Sequence, residues 1–148
     1  MPEVILTEDC MALISQFERL TGAGSRDCVI DDRNNRLIFV VNPGEMGLAI
    51  GRQGSSIKKA MDVMGKKIEV VEYSPDPEQF IRNCFLPAKV TSVDFDGEGD
   101  SRVAHIEVSD EDRGIAIGKE GKNIFKAKKL AQRQHDVSDV LLVTDVAE

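Results

Sequence analysis

Two four-residue stretches combine the residue types that hold a phosphate, Gly51-Arg52-Gln53-Gly54 and Gly118-Lys119-Glu120-Gly121. Glycine has no Cβ, so the backbone can come close to another molecule and adopt conformations closed to other residues. The cation in each stretch adds charge, and a helix restarting just afterwards would offer unpaired N–H groups and its positive end to an anion. A lone Gly-x-x-Gly is a weak signal, because helix caps produce it too. Here it sits in a longer pattern, Gly-[Leu/Ile]-Ala-Ile-Gly-[Arg/Lys]-x-Gly-x-x-Ile, written at 47–57 and again 67 residues later at 114–124. The bare glycines would admit a sugar-phosphate backbone. Ile50, Ile57, Ile117 and Ile124 are expected to line an apolar groove beside each loop, with at least one of each pair given to helix packing.

Charge follows the motif. The chain carries a formal −7, which taken alone argues against a polyanionic partner. Windows 47–67 and 113–135, however, hold 12 of the 19 Lys and Arg and only Asp62 and Glu120 of the 26 acids, giving them +10 against −17 elsewhere. Lys58 follows the first loop. Lys122, Lys126, Lys129 and Arg133 follow the second, spaced along one helical face, and should compensate for the carboxylate that Glu120 puts in that loop.

The elements that would position these residues also repeat. Apolar spacing predicts a helix over Thr7–Leu20, capped by Thr7 and ended by Gly22 and Gly24. Strands at Asp27–Asp31 and Arg36–Val41 follow, joined by Asp32-Arg33-Asn34-Asn35, a turn able to go left-handed. Then come a short helix at Gly44–Ile50, the loop, a helix at Ser55–Met64 and a strand at Lys67–Tyr73. Ser74-Pro75-Asp76-Pro77 breaks the pattern, since two prolines in three residues continue neither strand nor helix. The order then recurs: helix Glu78–Phe85, strands Ala88–Asp94 and Arg102–Val108, short helix Glu111–Ile117, the loop, basic helix Lys122–His135 and strand Asp139–Thr144. The prediction is an α+β chain of two domains, 1–74 and 75–148, each α-β-β-α-α-β with a three-stranded mixed sheet covered by helices. Only 13 residues follow His135, which leaves no room for a β-α-α-β-β-α order. Two units this small are each marginal and should share an interface.

Other chemistries fit poorly. A nucleotide-hydrolase loop needs four residues between its glycines and a hydroxyl after the Lys, whereas three separate Gly114 from Gly118 and Glu120 follows Lys119. Asp94-x-Asp96-x-Glu98-Gly99 starts like a calcium loop, but its twelfth position is His105 where a bidentate Glu belongs. His105 and His135 have no partners at zinc spacing. No catalytic set can be nominated, so neither an enzyme nor a metal or other cofactor is predicted. Aromatic stacking has little to draw on, with one tyrosine and no tryptophan. Phe17, Phe39, Phe80, Phe85 and Phe95 fall on apolar faces and are expected in the core, while Phe125, just after Ile124, could be core or groove wall.

At the repeated motif the sequence resembles the KH family of single-stranded nucleic-acid binders, in its second topological type, over nearly its whole length as two tandem domains. The near-absent linker makes it most similar to the archaeal NusA-like transcription termination and antitermination factors. That resemblance implies single-stranded RNA as partner, clamped at each loop. It places Ile50, Gly51, Arg52, Gln53, Gly54, Ile57 and Lys58 in the first site. In the second it places Ile117, Gly118, Lys119, Glu120, Gly121, Lys122, Ile124, Lys126, Lys129 and Arg133. It further implies two domains forming one continuous RNA surface, with RNA polymerase or other transcription or ribosomal proteins as further partners. Bacterial NusA adds a polymerase-binding domain and an S1 domain, and 148 residues have room for neither, so direct polymerase contact does not carry over. The competing expectation is a KH fold that docks protein, or assists ribosome assembly, with weak or no RNA binding. All four loop glycines favour RNA. Three scattered cysteines and no long apolar run predict a reduced, cytoplasmic protein off the membrane.

Overall fold

The computed structural model describes residues 4–143 and divides into two compact units, one of them Ile5–Ser74 and the other formed by the chain from Pro75 onward together with Val4. The first runs α1 (Glu8–Thr21), β1 (Ser25–Asp31), β2 (Arg36–Val41), α2 (Met46–Ile50), α3 (Ser55–Met64) and β3 (Lys67–Glu72). The second runs α4 (Pro77–Phe85), β4 (Val90–Asp96), β5 (Val103–Val108), α5 (Arg113–Ile117), α6 (Lys122–His135) and β6 (Asp139–Leu142). A single 3-10 turn follows each short helix, at Arg52–Gly54 and Lys119–Gly121. Each sheet has its middle strand antiparallel to the strand before it and parallel to the one after, in the orders β1-β2-β3 and β4-β5-β6. The architecture is the predicted α+β pair of type II KH folds.

Local chemistry explains the boundaries. Thr7 Oγ1 accepts from the Cys10 N–H, and Gly22 closes α1 in the left-handed conformation. The β1–β2 turn does go left-handed, at Asn35 with φ 51°. Strand β4 begins at Val90 instead of Ala88 because the Ala88 N–H is taken by Phe85 O in a turn. The strand expected to reach Thr144 ends at Leu142, and Thr144 lies outside the described residues.

In the first unit Phe17 of α1 stacks on Phe39 of β2 with centroids 4.1 Å apart, amid Cys28, Leu37, Val41, Ala49, Ala60 and Ile68. One end of this sheet is locked by Arg36, fully buried, whose Nε lies 2.7 Å from Asp31 and Nη1 2.8 Å from Glu69. Burial pushes the Asp31 carboxyl up, but hydrogen bonds from Asn34 and Arg36 outweigh it and hold the group below its ordinary value. Burial likewise works against the Arg36 charge, and the two carboxylates reverse that. In the second unit Phe80, Ile81, Cys84 and Phe85 of α4 are buried, as are Ala127, Leu130 and Ala131 of α6. Phe95 departs from expectation. It stands at the far end of β4, 37% exposed, with the Arg102 guanidinium 4.9 Å over its ring.

Candidate functional site

The two loops share one backbone. Gly51 and Gly118 have φ/ψ of 77/173° and 77/167°, Gln53 and Glu120 of 55/29° and 56/28°, Gly54 and Gly121 of 78/14° and 76/16°. Nearly identical dihedrals from different loop sequences mean that the fold imposes the shape. The glycines divide the task in a way the sequence did not show. A Cβ on Gly51 would lie 2.6 Å from the Ser56 backbone N, and one on Gly118 would lie 2.8 Å from the Asn123 N, so the first glycine makes room for the protein's own next helix. At Gly54 and Gly121 the nearest atoms to such a Cβ are 3.6 and 3.8 Å away, in ordinary contact, and there the loop is open. In the second copy Asn123 also ties the loop down, its Nδ2 donating to Ile115 O at 2.6 Å.

The amides are likewise partly used. Gly54 N–H donates to Gly51 O and Ser55 N–H to Arg52 O, with Gly121 and Lys122 repeating the pair. The expectation that the restarting helix leaves its amides to an anion is therefore corrected for these four groups. What remains is the electrostatics. Helices α1 and α4 start with a side-chain cap and acids in the first turn, Thr7 with Glu8 and Asp9, Asp76 with Glu78. Helices α3 and α6 start with neither, and Lys122 opens α6. A cation beside a helix N-terminus is unfavourable unless an anion joins it. Arg52, Gln53, Lys58, Lys119 and Glu120 are exposed around these starts.

The apolar side of each site is wider than predicted. Ile50 and Ile117 are exposed, while Ile57 and Ile124 are half-buried, Ile57 packing against the first core. Leu48 and Ile115 are exposed too, with Ala49 and Ala116 between them fully buried. Alanine thus anchors each short helix, and the larger side chains on either side stay in solvent. Both residues occupy the same place in the repeat, and that signal was available in the sequence.

Helix α6 corrects one expected contact. Lys129 is exposed and Lys122 and Arg133 are half-exposed, but Lys126 is only 6% exposed. Its charge acts inward on Cys84, whose thiol burial pushes up to about 12 against the lysine's opposing pull. Lys128, a neighbour not considered from sequence, pairs with Asp139 at 3.2 Å. A cleft of about 310 Å³ in the first unit lies elsewhere, lined by Leu13, Ile30, Leu37 and Met64 with Asp9 and Lys66 at its edge, and contains no loop residue. Among the described residues no cluster of His, Cys, Asp and Glu could hold a metal ion, the three cysteines are buried, and no helix is long and apolar enough to cross a membrane.

Each site thus joins an exposed cation, a helix start that favours anions and a strip of exposed aliphatic side chains. It can hold a ligand with an anionic backbone and flat apolar faces. Comparison with known proteins agrees in kind. The NusA-like second KH domain matches residues 77–141, and the KH domain matches residues 14–94. The probable transcription termination protein NusA of Halobacterium salinarum is 42% identical over 137 residues, covering 93% of this chain and 96% of that protein. Its counterpart from Methanococcus vannielii is 41% identical over 137 residues, 93% of this chain and 78% of that protein. The transcription termination/antitermination protein NusA of Mycobacterium bovis is 36% identical over 92 residues, 62% of this chain and 26% of its own length. The crystal structure of APE1850 superposes with a TM-score of 0.84 at 40% identity, covering 93% of this chain and all of that one.

Proposed function

The chain belongs to the NusA-like family of KH-domain proteins, and on that premise we propose that it is a non-enzymatic RNA-binding factor of transcription elongation and termination. Single-stranded RNA lies with its backbone against the Gly51–Gly54 and Gly118–Gly121 loops. Its bases rest on the aliphatic side chains beside them. The observation that carries this is the second writing of the loop: the same backbone, an exposed cation and an exposed aliphatic pair, Leu48 with Ile50 and Ile115 with Ile117, occur at both places.

Arg52 and Lys58 supply the charge in the first site. Lys119, Lys122, Lys129 and Arg133 supply it in the second, where Glu120 opposes them; Lys126 is left out because it is buried. Leu48, Ile50, Ile115 and Ile117 give sequence-tolerant apolar contact, since every base has a flat face. The role is binding and not reaction: Cys84, the thiol with a displaced titration, is buried and protonated at neutral pH.

The test is single-stranded RNA binding over a salt series, comparing the native protein with a variant carrying Arg52→Asp, Gln53→Asp and Lys119→Asp. Aspartate tolerates the left-handed conformation at position 53, so the fold should survive. The expected result is a large loss of affinity with a shallower salt slope. Equal affinity in the variant would refute the loops as the RNA site, and a native protein that binds no RNA but retains a protein partner would move the function to protein docking.

A further inference from the structure

The two sites differ at one position that their shared backbone makes directly comparable, the fourth residue of the helix after each loop. It is Lys58 in α3 and Phe125 in α6. Side chains on a helix lean toward its N-terminus, so this residue overhangs the loop. The first unit shows it: a methyl placed on Gly54 would lie 3.6 Å from Lys58 Cε, which brings the ammonium to the rim of the loop. In the second unit a methyl on Gly121 would meet Ile124 Cγ2 at 3.8 Å and no other atom within 4 Å, so the Phe125 ring stands clear of the glycine and leaves the space above it open.

That ring is unusual within this chain. Of the seven aromatic residues five are buried, and of the two exposed rings Phe95 has the Arg102 guanidinium over it. Phe125 is 40% exposed on the same side of α6 as Lys129, one turn further along. Charge points the same way. The first loop has Arg52 and Lys58 with the neutral Gln53, whereas in the second Glu120 opposes Lys119 and the overhanging position is uncharged. With the second site's charge carried by Lys119 in the loop and by Lys122, Lys129 and Arg133 along α6, the position over the loop is left to a solvent-facing ring, which suits a base more than a backbone.

Resting on the function given above, we propose that the two copies use different chemistry at this position: Lys58 adds a phosphate contact in the first, and Phe125 stacks on a nucleobase of the strand held by the second. The assay uses the full chain and a labelled single-stranded RNA of mixed sequence, about 16 nucleotides long so that both four-nucleotide footprints fit with room to spare. Phe125→Leu and Phe125→Ala should weaken binding about 5- to 150-fold, the cost of one lost base–aromatic stack, with an unchanged salt slope. Phe125→Tyr should restore affinity. Lys58→Ala should lower the slope of log affinity against log salt by about 0.7, one phosphate on a single strand, and Phe125→Lys should raise it by the same amount.

Because Phe125→Leu keeps an apolar side chain and a helix former, its circular dichroism should match the native protein, and Phe125→Tyr guards against any residual folding defect. Affinity unchanged in Phe125→Leu, or a loss accompanied by a changed salt slope, overturns stacking at Phe125. An unchanged slope in Lys58→Ala overturns the phosphate contact. Failure here is separable from failure of the parent function, because in that case the variant with aspartates in its loops would also bind RNA like the native protein.

Discussion

Replacing Gly51 by alanine separates a glycine kept for the protein's own packing from one kept for a ligand. At φ 77° and ψ 173° Gly51 occupies a region essentially closed to other residues, which costs about 1–3 kcal/mol. The added methyl would also lie 2.4 Å from Ser56 Oγ and 2.6 Å from the Ser56 backbone N. The hydroxyl can rotate away, but the amide moves only with the first turn of α3, and overpacking of this kind adds about 1–3 kcal/mol. The expected loss is about 4 kcal/mol, a large part of the roughly 4–10 kcal/mol that a unit of this size has. Gly54→Ala is the control. Its φ/ψ of 78/14° is left-handed helical and its nearest contact is 3.6 Å, so the penalty should stay near 1–2 kcal/mol. Tyr73 makes the measurement specific, as the chain's single tyrosine in a protein without tryptophan, buried in the first unit. Urea unfolding followed by tyrosine fluorescence should show the Gly51→Ala midpoint lower by about 2 M, and that of Gly54→Ala by under 1 M. Equal midpoints would refute the division of roles between the two glycines.

Exchanging the loop acids should redistribute affinity. Glu120→Gln should tighten RNA binding about two- to fivefold and Gln53→Glu should weaken it similarly, the scale of one exposed charge contact, as measured by titration at low salt. Stability should fall in acid through Asp31: its folded-state titration lies below the unfolded one, so its contribution is present above about pH 4 and lost as pH drops below that. Tyrosine-monitored unfolding should show a shallower acid dependence in Asp31→Asn, along with a lower midpoint at neutral pH because Arg36 loses a buried partner. In the second unit the sign reverses. The Cys84 thiol is raised to about 12, so its stabilisation is complete below the unfolded value near pH 9 and is lost as pH climbs toward 12. Cys84→Ala should flatten that alkaline fall in circular-dichroism melts.

How far the site could be read before the fold depended on whether repetition or environment set each feature. The loop conformation was legible because both copies had to satisfy it, and element order was legible because apolar period and turn residues repeated together. Lys126 was misread for a geometric reason. Positions 122, 126, 129 and 133 do form one stripe on α6, but it borders the buried face made by Ala127, Leu130 and Ala131, and α4 with Cys84 packs over that border. Periodicity gives a helix's face without saying how far its neighbour reaches. Phe95 failed similarly: it alternates correctly for the core, yet sits where β4 runs out toward Gly97. Leu48 and Ile115 look like ordinary core residues by type; their shared place in the repeat was the one signal in the sequence, and the burial of Ala49 and Ala116 shows that alanine took the packing role.

An excess of acid outside the two basic windows has a physical consequence for the proposed function. Charges further than about 10 Å from the RNA are screened at 0.1 M salt, so a phosphate at either loop feels the local cations while RNA approaching elsewhere meets the −17 remainder. The few exposed cations at each loop cap the counterion-release contribution, and a duplex, which cannot splay its bases onto Leu48, Ile50, Ile115, Ile117 or Phe125, would gain only that part. Single-stranded RNA gains both. On the proposed function, selectivity for unpaired RNA would follow from pairing a modest electrostatic site with an exposed apolar one inside an acidic chain. Neutralising surface acids distant from the loops should raise duplex and nonspecific binding more than single-strand binding, and a uniform rise across all three would contradict this account.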